Sequence, residues 1–293
     1  MRTMNNQLIL DSHTVMYGVL GDPVKHSKSP LMLNRAFQEN GINAAYTAFH
    51  VTPDKLGAAI QGIRALGYGG VNVTIPHKLE VMQYLDDIDE GARLIGAVNT
   101  IVNRDGKLIG YNTDGIGYVR SLKEETGFNI EGRTLLIIGA GGAARGVAYA
   151  LAKESPATIY IVNRSMERAE QLSSDIGHIM ARCVSVDLSA LGQIPQVDFI
   201  VNTTSVGMFP RIDELPIDST WMKSWIGSHT LVSDLVYNPL KTRFLREAAN
   251  YGAKTHSGLG MFVYQGAYAF EYWTGQKAPV AAMRSIVEQS FQV

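Results

Sequence analysis

The sequence predicts an α/β protein of two domains, each with strands covered by helices, followed by tail helices that return to the first domain. Three observations predict it. At 293 residues the chain exceeds what a single core usually serves. Strand-like and helix-like runs alternate in two blocks, the pattern of parallel strands joined by crossover helices. Between the blocks the alternation breaks at Asp105-Gly106, a strong hairpin signal.

In the first block Met16 to Leu20 reads as a strand. Ser29-Pro30 then starts a helix, with Ser29 as N-cap and Pro30 at the first helical position. Ala45 to Val51 is the second strand, and Thr52-Pro53 opens another helix in the same way. Gly70 to Thr74 is the third strand; Pro76 ends it and seats Lys78 in the first turn of the next helix. Ala97 to Asn103 and Lys107 to Tyr111 form the hairpin, and Gly115 to Glu125 is a linker helix. The second block starts with the apolar run at Thr134 and continues to about Tyr251. Met261 to Trp273 and Val280 to Gln289 read as helices with no strand left to pair, so they pack back on the first domain. The expected domains are residues 1–114, 115–257 and the returning tail 258–293.

Bulk composition excludes several classes of function. A hydrophobic fraction of 46% suffices for two cores. With 26 basic residues against 27 acidic ones, no basic excess exists to neutralise a nucleic-acid backbone. The single Cys183 cannot form an intramolecular disulfide and reads as a buried filler in a reducing compartment. Met1 to Thr14 lacks the apolar core of a signal peptide, and no apolar run has membrane-spanning length. A cytoplasmic protein without membrane or nucleic-acid partners is expected. The seven histidines show no paired metal spacing, so no metal is expected, and His77 reads as a solvated neighbour.

Gly139-Ala-Gly-Gly-Ala-Ala144 follows the strand Leu135 to Ile138 and precedes a helical stretch, the setting of a Rossmann dinucleotide loop. Gly139 allows the tight turn, Gly141 lets the backbone approach a pyrophosphate, and Ala144 permits close helix–strand contact. The helix N-terminus offers unpaired N–H groups to the phosphates. After the next strand, Thr158 to Val162, an NAD enzyme usually places an acid for the ribose 2′-hydroxyl. Here Asn163, Arg164 and Ser165 stand instead, with Arg168 one turn on. Guanidinium groups attract a 2′-phosphate, so NADP(H) is favoured over NAD.

Three segments of the first block concentrate hydroxyls, amides and charge at strand ends. Ser27 and Ser29, at alternate positions beside a helix start, suit a substrate carboxylate. Asn72 and Thr74 share one face of a strand that leads to Lys78, whose place at a helix N-terminus would lower its pKa. If Asp105-Gly106 is a two-residue loop, Asn99 lies opposite Asn112 and Asp114 emerges at the same end. Lys78 and Asp114 then make a candidate proton-transfer pair, with a structural salt bridge as the open alternative. Phe262, Tyr264, Tyr268 and Tyr272 read as core and rim of the last helices, with Gln265 able to face a cleft. Gly258 and Gly260 suggest a hinge or close backbone contact with the cofactor. Together these features describe an oxidoreductase acting on a small, hydroxylated, anionic substrate in a cleft between the domains.

With those residues in place the chain resembles the shikimate dehydrogenase family, from about Tyr17 to near the C-terminus. The matching motifs are Ser27-Lys-Ser-Pro, Asn72-Val-Thr-Ile-Pro-His-Lys78, Gly96-Ala-Val-Asn-Thr100, Asn112-Thr-Asp114, Gly139-Ala-Gly-Gly-Ala143, Asn163-Arg164, Asn202-Thr-Thr-Ser-Val-Gly207, Asp234-Leu-Val-Tyr237 and Gly258-Leu-Gly-Met261. The resemblance implies reduction of 3-dehydroshikimate to shikimate by NADPH in aromatic amino-acid and chorismate biosynthesis. It assigns the ring carboxylate to Ser27, Ser29 and Tyr237, and the ring hydroxyls to Thr74, Lys78, Asn99, Asp114 and Gln265. Lys78 would donate and accept the proton, with Asp114 as partner. Gly139, Ala140, Gly141, Gly142 and Ala143, with Asn163, Arg164, Ser165 and Arg168, would hold the cofactor; Thr204, Ser205, Leu235, Gly258 and Met261 would line it. Leu235 stands where the family often has methionine, and Phe262 and Tyr264 are bulky for their places. The residues before the first strand have no assigned role. A dual quinate/shikimate dehydrogenase and a non-catalytic sensor of NADP or shikimate remain as alternatives, and the chain is expected to be a monomer or homodimer.

Overall fold

The computed structural model describes residues 10–291; Met1 to Ile9, most of the stretch read above for a leader, lie outside the described residues. The chain divides into two compact units, Met1–Thr113 with Gly266–Val293, and Asp114–Gln265.

The first unit begins β1 (Val15–Gly21), α1 (Ser29–Glu39), β2 (Ala44–His50), α2 (Leu56–Ala65), β3 (Gly70–Val73), β4 (Asp87–Ile88), α3 (Glu90–Ile95), β5 (Thr100–Arg104) and β6 (Lys107–Tyr111). Its sheet has the order β2-β1-β3-β5-β6-β4, with β1 parallel to β2 and β3 but β5 antiparallel to β3 and β6. The hairpin sets the reversal between β5 and β6. Asp105 at φ 52° and Gly106 at φ 88° take the positive angles of a type I′ turn. Arg104 therefore pairs with Lys107 and Thr100 with Tyr111, which carries Asn99 to its place opposite Asn112.

Three helix starts differ from the expectation. Lys28, not Ser29, is the N-cap of α1, at φ −89° and ψ −1°, and Ser29 is already helical. Ser27 does the capping work nearby, its hydroxyl accepting from the Ser29 N–H at 3.2 Å. After β3 no α-helix forms at Pro76. Residues 75–79 make a turn, and only a 3₁₀ segment, Glu80–Tyr84, follows. The Lys78 carbonyl accepts from the Val98 N–H at 2.8 Å, so it is spent on the approach to β5 rather than on a helical partner. Thr52-Pro53 likewise opens a 3₁₀ turn, Pro53–Lys55, before α2 begins.

The second unit runs α4 (Asp114–Thr126), β7 (Thr134–Ile138), α5 (Gly142–Ala152), β8 (Thr158–Val162), α6 (Met166–Gly177), β9 (Cys183–Val186), β10 (Phe199–Asn202), α7 (Ser219–Trp225), β11 (Leu231–Asp234), α8 (Arg243–Asn250) and β12 (Lys254–His256). All its strands are parallel, in the order β12-β11-β10-β7-β8-β9. That is the doubly wound arrangement, with the order reversing at β7 and β10. β7 is central, so Leu135, Leu136, Ile137 and Ile138 are all buried, and the strand reads as a continuous apolar run.

α9 (Leu259–Thr274) and α10 (Val280–Gln289) close the chain. In the first unit α10 lies against α1, Phe270 sits 5.5 Å from Phe37, and Trp273 sits 5.0 Å from Tyr17. The Trp273 indole N–H also donates to the Ile101 carbonyl at 2.9 Å. The division falls inside α9, between Gln265 and Gly266, later than the expected 257/258. Its first turns belong with α4, where Gly117 permits backbone contact with Gln265. Among the described residues no helix is long and apolar enough to cross a membrane, and no cluster of His, Cys, Asp or Glu could hold a metal ion.

Candidate active site

The turn from β7 into α5 is built around two glycines with different needs. Gly139 has φ +112°, and a Cβ there would meet Thr203 Oγ1 at 2.5 Å and Thr204 Cγ2 at 2.9 Å. Both conformation and space demand glycine. Gly141 has φ −87°, open to any residue, and a Cβ there would point into open space. Nothing in the chain itself requires its bareness. A diphosphate seated against the α5 N-terminus would. Ala144 is fully buried, as close helix–sheet contact needs.

Beyond β8 the Asn163 side chain donates to the Ser165 carbonyl at 2.9 Å and shapes the turn into α6. Arg164 and Arg168 are exposed, and among the described residues neither has a carboxylate partner. Two exposed guanidinium groups around the start of α6, neither paired with an acid among the described residues, suit a phosphate monoester. The residues present therefore fit an NADP-type dinucleotide.

A buried pair fixes the other loops of this sheet end. Asn202 Oδ1 accepts from the N–H and hydroxyl of Thr204 at 3.0 and 2.7 Å. Its amide nitrogen donates to the Val206 carbonyl and, at 2.9 Å, to Asp234 Oδ1. Asp234 also accepts from the Val236 N–H at 3.0 Å and the Thr242 hydroxyl at 2.7 Å. Burial pushes the Asp234 carboxyl up to about 7, against the pull of those donors. One carboxyl group thus holds both loops carrying Thr204, Ser205, Leu235 and Tyr237. Sequence reasoning left Asn202 and Asp234 without a role. The signal was two short polar residues ending apolar strands, which the register sets side by side.

Gly258 is pressed against the Leu235 backbone, where any side chain would collide. Met261 is buried beside the same core. Tyr237 stacks on Phe262, ring centroids 4.3 Å apart and planes 19° apart, which accounts for the bulk of Phe262. Tyr264 turns to Glu124, to which its hydroxyl donates, and the Arg120 guanidinium lies 4.6 Å from its ring. Gln265, half-buried, donates to the Phe262 carbonyl at 2.8 Å. Asp114 opens α4 and is 4% exposed.

In the first unit a buried polar cluster surrounds Asn99. Its Oδ1 accepts from the Thr113 N–H at 2.8 Å and the Thr100 hydroxyl at 3.0 Å, so Nδ2 is the donor end, reaching Thr113 Oγ1 at 3.0 Å. Asn72 donates to the Asn99 carbonyl and Thr100 Oγ1, and accepts from the Tyr46 hydroxyl at 2.8 Å. The two residues expected to share a strand face therefore differ in what they do. Asn72 is buried structure, whereas Thr74 is partly open. Thr100, Thr113 and Tyr46 belong to this cluster and were not legible in advance. Burial raises the Tyr46 hydroxyl well above its ordinary range, with the Ser29 hydroxyl acting in the opposite sense.

Ser27 and Lys78 are half-buried, and Ser29 is buried. Lys78 sits in the turn of residues 75–79 and not in the first turn of an α-helix as expected. His77 is not solvated: it is 1% exposed, with Nε2 2.6 Å from the Val51 carbonyl. It pins the turn that carries Lys78. Cys183 is half-buried, and burial pushes its thiol up to about 11, away from reactivity. A cavity of about 1020 Å³ beside α8, lined by Lys241, Arg243, Arg246 and Glu247, touches none of the expected site residues.

The model of the shikimate dehydrogenase substrate binding domain matches residues 19–101, and that of the shikimate/quinate 5-dehydrogenase family matches residues 121–212. The model of the shikimate 5′-dehydrogenase C-terminal domain matches residues 258–288. The chain is similar to the NADP(+) shikimate dehydrogenase of Geobacillus kaustophilus strain HTA426, 48% identical and covering 94% of this chain and 99% of the relative. A crystal structure of a shikimate dehydrogenase in complex with NADP+ is 45% identical, with a TM-score of 0.89, covering 96% of this chain and 97% of that one. A shikimate 5-dehydrogenase from Thermus thermophilus, in complex with NADP(H) and shikimate, is 34% identical with a TM-score of 0.84, covering 94% and 100%.

Proposed function

This chain belongs to the shikimate dehydrogenase family, and from that premise we propose that it reduces 3-dehydroshikimate reversibly to shikimate with NADPH, a step of aromatic amino-acid and chorismate biosynthesis. NADPH, when bound, supplies the hydride from C4 of its nicotinamide. Gly139 to Ala143 and the start of α5 hold its diphosphate, Arg164 and Arg168 its 2′-phosphate, and the loops of Thr204, Ser205, Leu235, Gly258 and Met261 line the remainder. Ser27, Ser29 and Tyr237 hold the substrate carboxylate; Thr74, Asn99 and Gln265 hold ring hydroxyls. Lys78 gives its proton to the carbonyl oxygen as it becomes a hydroxyl, and takes it back in the reverse direction. Asp114 would hold the Lys78 amine in place for that transfer.

The observation that carries this reading is the bare Gly141 facing open space, together with the arginines beyond β8 that have no acid partner among the described residues. Absorbance at 340 nm with shikimate and NADP+ tests it, with quinate and NAD+ as the paired alternatives. Turnover with shikimate and NADP+ well above the other three combinations is expected. Comparable turnover of quinate would favour a dual quinate/shikimate dehydrogenase. No turnover with either acid at micromolar enzyme would favour a sensor. A cytoplasmic monomer or homodimer completes the proposal, supported by the single half-buried cysteine and the even charge balance.

A further inference from the structure

A hydrogen-bonded chain without a role in the proposed chemistry fastens α4 to its neighbours. The Tyr118 hydroxyl donates to Ser233 Oγ at 2.8 Å. Ser233 Oγ lies 2.9 Å from His256 Nδ1, and His256 Nε2 lies 2.8 Å from Ser121 Oγ. Ser121 in turn donates to Glu125 Oε1 at 3.1 Å, and the other Glu125 oxygen is 3.8 Å from His256 Nε2. For a neutral imidazole, one proton arrangement satisfies every link. Ser121 spends its only proton on Glu125, so His256 donates through Nε2; Nδ1 then accepts from Ser233, which accepts from Tyr118. The donors all point one way, so the links strengthen one another.

Tyr118, Ser121, Ser233 and His256 are buried to 3% exposure or less. The Tyr118 ring meets the His256 ring edge-on at 5.8 Å. Gly260 is bare at the same place, because a Cβ there would collide with the Ser121 and Glu125 side chains. His256 ends β12 two residues before Gly258, while Tyr118 lies one helical turn after Asp114. On its other sides α4 touches backbone: Gly115 meets the Gly146 carbonyl of α5, and Gly117 meets Gln265 of α9. Against such surfaces the helix has little freedom to slide, and a slide that did occur would carry Asp114 with it.

We infer that His256 is a positioning residue for the reaction: by joining Ser233 to Ser121 it sets α4, and therefore Asp114, against the Gly258–Met261 segment. The inference rests on Asp114 acting as the partner of Lys78. It is tested in the full-length enzyme with H256L, H256Q and S121A, each alone and H256L also combined with D114N. Readouts are kcat and the isotope effect with NADPH deuterated at the transferred position. H256L and S121A should lower kcat on the order of tenfold to a hundredfold, as misplacement by ~1 Å does. They should also raise the isotope effect, because the chemical step becomes slower than product release. Loss of folded enzyme alone leaves the isotope effect unchanged. H256Q, which keeps an amide donor towards Ser121, should recover part of kcat. In the D114N background H256L should cost little more. If D114N is impaired and the two losses multiply in full, the inference falls while the role of Asp114 stands. Parental kcat in D114N removes both. Should H256L fail to fold, S121A decides, and a parental kcat and isotope effect in S121A overturns the inference.

Discussion

At the scale of single residues the proposed chemistry reduces to two charges with separate roles. Lys78 supplies the proton and touches the ring hydroxyl only in passing, so Lys78→Ala should leave the shikimate KM within a few-fold while kcat falls about a hundredfold or more. An unchanged kcat in steady-state assays would remove Lys78 from the mechanism. Arg164 serves a phosphate that only one of the two nicotinamide dinucleotides carries. Arg164→Ala should therefore weaken NADPH by about tenfold or more and leave NADH nearly unaffected. Equal losses for both would mean that Arg164 does not read the 2′-phosphate. Residue types at strand ends mark these groups as candidates: an amine after an alternating strand, and arginine where an acid is usual. Ser29 and His77 were misjudged for a common reason. Capping and burial are decided by one residue's φ and ψ and by which side chain fills a gap, and one chain's spacing encodes neither.

At the scale of elements, legibility followed stereochemistry. The Asp105-Gly106 pair admits one tight turn, and arithmetic along the two strands then sets Asn99 against Asn112. The helix expected after Pro76 had no such constraint. The Lys78 carbonyl was claimed by Val98 and the His77 side chain by the Val51 carbonyl, tertiary choices invisible in local sequence. The β7–α5 turn allows a sharper test, because its glycines are needed for different reasons. Gly139→Ala should destabilise the fold by about 1–3 kcal/mol, from strained φ and collision with Thr203 and Thr204. Gly141→Ala should leave the thermal midpoint close to the parent while raising the KM for NADPH, since its methyl group enters space that only a ligand needs. A parental NADPH KM in that variant would mean that the open space beside Gly141 is not where the diphosphate lies.

At the scale of the whole molecule, alternating strands and helices announced two sheets, and the parallel order of the second followed from crossover connections. The division inside α9 was not legible, because a continuous helix keeps its period while its neighbours change from α4 to the first unit. Stability of the second unit has its own signature in Asp234. This carboxyl is fully buried and pushed up to about 7, from an ordinary 3.8 in an unfolded chain. Between those values the folded state binds the extra proton, so stability is greatest at the acid end and falls as pH rises towards 7. Three units of difference correspond to about 4 kcal/mol at most, lost by pH 8. Asp234→Asn keeps the shape and has no proton to lose; Thr242 reverses its hydroxyl to accept from the new amide. Its denaturation midpoint should match the parent near pH 5 and exceed it near pH 8, with the difference growing through the interval. A constant offset across that range would show that the loops of Thr204 and Tyr237 are held by a carboxylate already ionised at pH 5, with the three donors around it outweighing burial.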